Sequence, residues 1–580
     1  MNGRWQWLSS VGEGAIVSAI AVVLLACGGA VLSAAEVKPS GSGALPVLVF
    51  QTGGKAVQDR SRVPAFLTVL LPEDSGAKFS IDEGASGPAE LSARGNSSFH
   101  YPKKSYRLEL QDNRGKDRKT SLLGLPADSD WVLYASVTDK TFSRNLLAHE
   151  LWRSMGRYAV RWRFVEVFSV TNSFKGGLIS PAQLALQTRH VLEALSGSGF
   201  PLQHSNTVNE AARRMSDSYL GVFVLMEKIK RSNDRVNIAR LRPEHDKEPE
   251  LSGGYIFKKD DEAKGEAGLL TGQELLLRFE EPKERDLTAI QSKWVRKYLG
   301  DFEKTLFSLG FRNAETGYRN YIDVESFVDF HWMVELSRNA DGYFLSQYMH
   351  KDRGGKVAMG PLWDWDNAFG NTFFAAAMKT NEWRFEGVQD PDYTWFRRLF
   401  EDPDFLQRYM DRWSELRTNV FETTNLVRLI DFITSGVLPA LGRNHSRWAG
   451  LPGSAPSNEL FQKDVSWLKQ WVTCRLAWID SQEYPKPVLQ PLASSNGISS
   501  VSMGFLDGRL FYTTNGTDPR APGGAVSPSA LEYSKPVEVA GRMTIKARAR
   551  SKFGLWSAPI DLQVGAMRSG VNIDEDLTGK

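Results

Sequence analysis

The chain has 580 residues, too many for one ordinary hydrophobic core, so two or more domains are expected. Its 42% hydrophobic and 24% charged content is that of globular protein, and a formal net charge of +3 gives no basic field of the kind that holds nucleic acid. With only two cysteines, Cys27 and Cys474, neither a structural disulfide nor a thiolate metal site is expected.

The first segment reads as an export signal. Arg4 is the sole early cation, residues 15–25 are nearly all apolar, and the small residues Ser33, Ala34 and Ala35 follow. A cleaved signal peptide over residues 1–35 fits this order. A second reading is lipoprotein processing, because Leu24-Leu25-Ala26-Cys27 resembles a bacterial lipobox with a non-ideal second position; Cys27 would then carry a lipid anchor. A third is an uncleaved membrane anchor. The first two predict an exported protein: secreted, periplasmic or lipid-anchored in the cell envelope. Residues 36–44 form a small polar linker.

Strands dominate next. Residues 45–50 (LPVLVF) and 66–71 (FLTVLL) are short apolar strands. Residues 91–98 lead through a polar turn into 103–110, whose second arm alternates, and 131–135 form one more strand. A helix follows with Thr141 or Ser143 as its N-cap and Leu146, Leu147, Leu151 and Trp152 on its apolar side. Residues 164–168 and 219–226 read as partnered strands. The stretch between them, 171–217, is too long for a connection inside a compact sheet and reads as an insertion with a helical piece near 187–195.

The second half is mainly helical. Helices are predicted over 283–309, 395–416, 424–440 and 459–478. Asp323 is placed to cap another, through Phe327, Phe330, His331, Val334 and Leu336. From residue 485 short strands and turn clusters (Asn515-Gly516, Pro522-Gly523-Gly524) predict a small β-sandwich to about 566. The polar, acidic residues 567–580 read as a disordered tail. The fold class predicted is α+β.

The chemistry concentrates between Arg338-Asn339-Ala340-Asp341-Gly342 and Trp363-Asp364-Trp365-Asp366-Asn367, read as helix end, strand, turn and strand. Asp364 and Asp366 alternate with tryptophans, so on a strand both would face one side. Converging carboxylates suit a divalent metal, a general base, or both, and make an enzyme the first hypothesis. His331, mid-helix among aromatics, reads as packed, and His350 as solvated. No Ser-His-Asp order and no zinc-type histidine spacing is present.

Several blocks together resemble the spore-coat CotH kinase family, whose members look like atypical protein kinases. They are Arg94-Gly95-Asn96-Ser97-Ser98 with Lys103-Lys104-Ser105-Tyr106-Arg107-Leu108, Leu122-Leu123-Gly124-Leu125-Pro126, Asp130-Trp131-Val132-Leu133, and Arg144-Asn145. Glu227-Lys228-Ile229-Lys230-Arg231, Gly253-Gly254-Tyr255-Ile256, and the 339–341 and 360–366 segments complete the set. The resemblance runs over residues 45–484 and implies a kinase-like domain, β-rich at its N-terminal end and helical beyond. It implies transfer of phosphate from ATP to a protein hydroxyl with Mg²⁺ or Mn²⁺, the acceptors including surface or coat proteins.

By the same resemblance Asp341 is the base that orients the hydroxyl. Asp364 is a metal ligand, with Asp366 as a second ligand or its supporting partner. The polar turn carrying Arg94 and Asn96 resembles a phosphate-covering loop. Lys104 would reach nucleotide phosphates with Glu227 as its ion-pair partner, or Lys228 would be the phosphate lysine. Five residues after Asp341, where some family members carry a metal-binding asparagine, this chain has Ser346. Residues 511–520 resemble the small sandwich of chitobiase-type enzymes, which implies an accessory role with polysaccharide contact.

Two readings compete with phosphotransfer. One is a non-catalytic surface or matrix binding protein on a kinase-like scaffold, since nucleotide is scarce outside the cytoplasm. The other takes Asp341 and Asp364 as a glycosidase pair, which requires roughly 5–9.5 Å between the carboxyls.

Overall fold

The structure, a computed structural model, describes residues 44–73, 78–170, 179–195, 217–260, 268–372, 375–451, 457–494, 497–539 and 541–564. The signal and anchor segment with Cys27, most of the linker and of the 171–217 insertion, and the 567–580 tail lie outside these residues.

The N-terminal half is built on β1 (Val47–Gln51), β2 (Val63–Pro72), β3 (Phe79–Ile81), β4 (Gly87–Arg94), β5 (Ser105–Leu110), β6 (Asp130–Tyr134), β7 (Trp162–Val170) and β8 (Tyr219–Glu227). Their order is β1-β7-β8-β6-β5-β4-β2, and β1 pairs back onto β2, so these seven strands close into a barrel; β3 extends the edge of β2. Only the β1–β7 pair is parallel. Period-2 alternation sorts the side chains. Leu91, Ala93, Tyr106, Leu108, Leu110, Trp131, Leu133, Phe223 and Leu225 fill the interior. On the outside, Val132, Val222, Val224 and Met226 belong to the main core shared with the helices. The outward positions of β4 and β5 are polar: Ser92, Arg94, Ser105, Arg107 and Glu109.

Helix α1 (Arg144–Ser154) lies in that shared core with Leu146, Leu147, Leu151 and Trp152 buried. Ser143 is its N-cap residue, but the capping is done by Asp139. Its carboxylate accepts the backbone N–H groups of Thr141 at 3.0 Å and Arg144 at 2.7 Å. Helix α2 (Pro181–Leu195) packs beside β1 and β7 through Leu184, Val191 and Leu192.

A second sheet, ordered β10 (Leu269–Leu270), β11 (Leu276–Glu281), β9 (Tyr255–Lys259), β12 (Gln347–Lys351) and β13 (Val357–Met359), follows. It packs on α3 (Ala289–Leu306) and α4 (Val324–Ser337), with Asp323 capping α4 through the Ser326 N–H. Beyond α5 (Ala375–Met378) come α6 (Thr394–Leu399), α7 (Pro403–Arg417), α8 (Thr423–Ser435), α9 (Leu438–Arg447) and α10 (Asn458–Gln482). The single helix predicted over 395–416 is two, because Asp402 caps a new one with Pro403 in its first turn. The break at Gly436 likewise divides 424–440.

Helix α9 is pinned to the barrel. Asn444 Oδ1 accepts the Val222 N–H at 3.0 Å and the Lys103 ammonium at 3.2 Å, and Arg443 pairs with buried Glu166 at 2.7 Å. Gly221 (φ +94) permits this approach, since a Cβ there would lie 2.6 Å from Asn444 Oδ1. The last strands form two small sheets. One holds β14 (Val488–Ser494), β15 (Gly497–Gly504) and β18 (Val537–Glu538). The other holds β17 (Leu531–Glu532), β16 (Arg509–Thr513), β19 (Met543–Arg550) and β20 (Ile560–Val564). Val501, Leu510, Ile545 and Ala547 pack between them. The architecture is mixed α+β: β-rich first, helical next, and small sheets at the C-terminus.

Candidate functional site

Helix α4 is buried from Ser326 to Ser337, the polar side chains Asp329, His331 and Glu335 included. It ends at Arg338, which takes a left-handed conformation (φ +47) and releases the chain into the loop carrying Asp341. The Asp341 N–H donates to Asn339 Oδ1 at 3.1 Å, and Asp341 Oδ2 accepts from Asn367 Nδ2 at 2.7 Å. The backbone repeats the link: Ala340 N–H to Asn367 O at 2.9 Å, and Phe369 N–H to Ser337 O at 2.7 Å. The Asp341 loop and the Asp364–Asp366 loop are therefore one clamped unit.

A third segment braces it. Arg384 donates to the carbonyls of Ala340 at 2.6 Å and Asn339 at 3.3 Å. The Arg384 and Phe385 N–H groups in turn donate to buried Glu335, at 2.7 and 3.0 Å. Arg475, fully buried on α10, donates twice to the Glu335 carbonyl, at 3.0 and 2.7 Å.

The expected strand through Asp364 and Asp366 is not formed. β13 ends at Met359, and Asp364 sits at φ +66, outside any strand conformation, so the two carboxylates do not simply share a strand face. Trp365 is buried in the core instead, with its N–H on Asn145 Oδ1 at 3.0 Å. Asp366 Oδ2 accepts the Thr138 hydroxyl at 2.7 Å, and its backbone carbonyl accepts from Asn371 at 2.7 Å. Arg144, paired with buried Asp139 at 2.5 Å, reaches the Phe369 carbonyl at 3.3 Å. Thus the Arg144-Asn145 block, without a role in the sequence, holds the second carboxylate loop. Arg338, Ser346, Asp364 and Phe369 all have positive φ, a concentration of backbone strain typical of working loops.

The surrounding protein, and then the neighbouring Asp366 charge, push the Asp364 carboxyl up; Arg94 pulls it back, and Asp341 adds to the rise. The residue is nonetheless exposed to solvent, and water there moderates the shift. Burial also raises Asp366, while the Thr138 hydroxyl counters it.

The outward face of β4 and β5 lies beside these loops. The Arg94 guanidinium stands 5.1 Å from the centre of the Trp363 ring. Burial lowers its proton affinity, while Tyr348, Asp364 and Glu280 act to raise it. Asn96 is exposed at the turn after β4, beside Asp59, Arg60, Phe99 and His100. Lys104 is turned away: its ammonium donates to the carbonyls of its own loop, Phe99 at 2.8 Å and Tyr101 at 3.3 Å. Its expected pairing with Glu227 is absent, because the buried Glu227 carboxylate is taken by Arg161 at 2.8 Å and by the Tyr158 hydroxyl at 3.2 Å. Lys228 is partly exposed and lies 3.4 Å from Asp130. Lys103 is buried over the Phe142 and Phe223 rings, donates to Val222 O at 2.6 Å, and is pushed down by burial to about 7.

His331 is packed as expected, between the hydroxyls of Tyr409 at 2.9 Å and Tyr393 at 2.8 Å. His350 is not solvated. It is mostly covered and its Nδ1 lies 3.1 Å from the Gly360 carbonyl oxygen. Arg107, Thr138 and Asn367 join the site without having been singled out. For Arg107 the signal was there, since β5 alternation places it outward with Ser105; for Thr138 and Asn367 no sequence signal exists.

Among the described residues no three His, Cys, Asp or Glu side chains form a metal cage. Two neighbouring carboxylates, both with raised proton affinity, nonetheless suit one cation completed by water and phosphate oxygens, the usual habit of Mg²⁺. Asp364 and Asp366 would hold it, and when bound it would spread the charge of the transferring phosphate.

Comparison with curated proteins gives no match. A family model described as Fn3 associated matches residues 506–558, within the segment where a chitobiase-type module was expected. The model described as CotH kinase protein matches residues 91–479, from β4 through α10. That span is more than half of the chain and takes in Arg94, Asp341, Asp364 and Asp366, so the protein belongs to the CotH kinase family.

Proposed function

We propose that the protein is an exported phosphotransferase that moves the terminal phosphate of ATP to a protein hydroxyl on a kinase-like scaffold. The observation that carries this reading is the clamped pair of loops, with Asp341 on one and Asp364 and Asp366 on the other, and with the Arg94 charge close enough to act on Asp364. Asn367 occupies one oxygen of Asp341 and leaves the other for an acceptor hydroxyl. Asp364 and Asp366 serve the divalent metal, and Arg94 the donor phosphates. Asn96 lies on the loop beside them. Lys104 and Glu227, each committed elsewhere, have no part in this assignment. A guanidinium beside Asp364 also argues against the glycosidase reading, because it would repel the positive charge that develops on a sugar ring. Polysaccharide contact by the C-terminal module and lipid attachment at Cys27 are parts of the same exported-protein proposal.

The test uses the purified full chain with labelled ATP and Mg²⁺ or Mn²⁺, beside Asp341→Asn and Asp364→Asn. Transfer to protein that falls about a hundredfold or more in both variants supports the enzyme. Absence of both transfer and nucleotide binding at millimolar metal supports the non-catalytic scaffold instead.

A further inference from the structure

The β4–β5 register pairs Arg94 with Ser105 and Ser92 with Arg107. Arg94 and Arg107 are therefore diagonal neighbours on one face, roughly 7–8 Å apart along the backbone. That face is the outward one, since their neighbours Ala93, Tyr106 and Leu108 fill the barrel interior. Arg107 is exposed, and its charge acts directly on Arg94. Among the described residues neither guanidinium makes a hydrogen bond or an ion pair, although each offers five N–H donors.

The nearby lysines are all committed. Lys103 and Lys104 are bound to carbonyls, and Lys228 and Lys230 to Asp130. Two like charges held side by side by strand register, with their donors open and Asp364 opposite, form a receptor for an anion. Planar forks match phosphate oxygens two at a time, and two forks a strand diagonal apart suit successive phosphates better than a single one.

We propose that Arg94 and Arg107 together form the phosphate clamp of this site, taking the place expected for Lys104. Arg94, the nearer to Asp364, holds the phosphate at the metal carboxylates, and Arg107 holds the next one. The recognised element is a triphosphate chain, supplied by a nucleoside triphosphate or by an inorganic polyphosphate. The inference rests on the phosphotransfer reading and specifies which residues of that site meet the donor.

Calorimetric titration of the full chain with Mn²⁺ present, using ATP in one arm and inorganic tripolyphosphate in the other, tests it. Arg107→Ala and Arg94→Ala are expected to bind both ligands about tenfold more weakly or worse, with Arg107→Lys intermediate and Lys104→Ala unchanged. Because Arg107 is exposed, its variants are expected to fold, and far-UV circular dichroism checks both arginine sites. Wild-type binding with no effect of Arg107→Ala overturns the clamp alone. So does a Lys104→Ala variant that loses binding, or wild-type protein that binds ATP but not tripolyphosphate. Wild-type protein that binds neither ligand overturns both the clamp and the phosphotransfer reading.

Discussion

Asp364 and Lys103 show how single residues are set by their surroundings. Asp364 meets a like charge in Asp366, one of smaller effect in Asp341, and a counter-charge in Arg94. A divalent cation would relieve that repulsion. Asp364→Asn is therefore expected to weaken Mn²⁺ binding by about tenfold or more, as measured by electron paramagnetic resonance. Asp366→Asn should weaken it less, because the Thr138 hydroxyl already occupies one oxygen of Asp366. Lys103 is buried without a carboxylate partner among the described residues; carbonyl oxygens and two aromatic rings compensate in part. Its folded-state pKa lies below that of the unfolded chain, so its contribution to stability is present above the ordinary lysine range and is lost as pH falls through about 7. Wild-type protein should accordingly gain stability relative to Lys103→Met between pH 7 and 10, in the direction that urea unfolding at the two ends of this window would show.

At the scale of elements, the site depends on how loops are tied rather than on how helices and strands are formed. Glu335 is buried at the end of α4 and accepts from the Tyr343 hydroxyl at 2.8 Å as well as from the segment carrying Arg384. Glu335→Ala leaves two backbone N–H groups and the Tyr343 hydroxyl without their acceptor and removes the carboxylate 3.6 Å from buried Arg475, and is expected to cost about 3–5 kcal/mol in urea unfolding. Arg384→Ala is milder for stability but frees the Asn339 and Ala340 carbonyls. A displacement of Asp341 by even a fraction of an ångström should lower the transfer rate by roughly ten- to a hundredfold, measured by steady-state kinetics with folding confirmed. The turn after β4 was legible because Gly95, at φ +120, stands between two alternating strands. The Asp364–Asp366 strand was misread for a physical reason. Alternating Trp and Asp satisfy a period of two, but burial of Trp365 against α4 and the Asn145 anchor outweigh strand propensity there.

At the scale of the whole molecule, the C-terminal sheets are joined to the helices by charge. Arg548 on β19 is buried and donates to both oxygens of Asp411 on α7, at 2.7 and 2.8 Å, and to Asp518 in its own sheets, at 2.7 and 2.6 Å. Asp404 adds a second contact, accepting the Gly523 N–H at 2.8 Å and pairing with Arg520 at 2.7 Å. Arg548→Ala strands two carboxylates and should cost about 3 kcal/mol at this junction. Scanning calorimetry is expected to show one transition in the wild type and two in the variant as the C-terminal sheets unfold separately. A single unshifted transition would remove Arg548 from this role.

What local chemistry controls was legible in the residues alone. Alternation marked the strands, Asp323 marked the start of α4, the turn clusters marked the C-terminal sheets, and the spaced motif blocks marked the family. The sequence also made candidates of Asp341, Asp364 and Asp366 by residue type, and of Arg94 through the family resemblance of its loop. Closure of the barrel came from packing, since β1 meets β2 and β7 through long-range register that no local pattern encodes. The partners of each charge were decided there too. Lys104 turned to its own loop, Glu227 went to Arg161, and Asn367 reached Asp341 across 26 residues. A charged side chain reaches whichever partner the packed backbone brings near, and that choice is made by the fold.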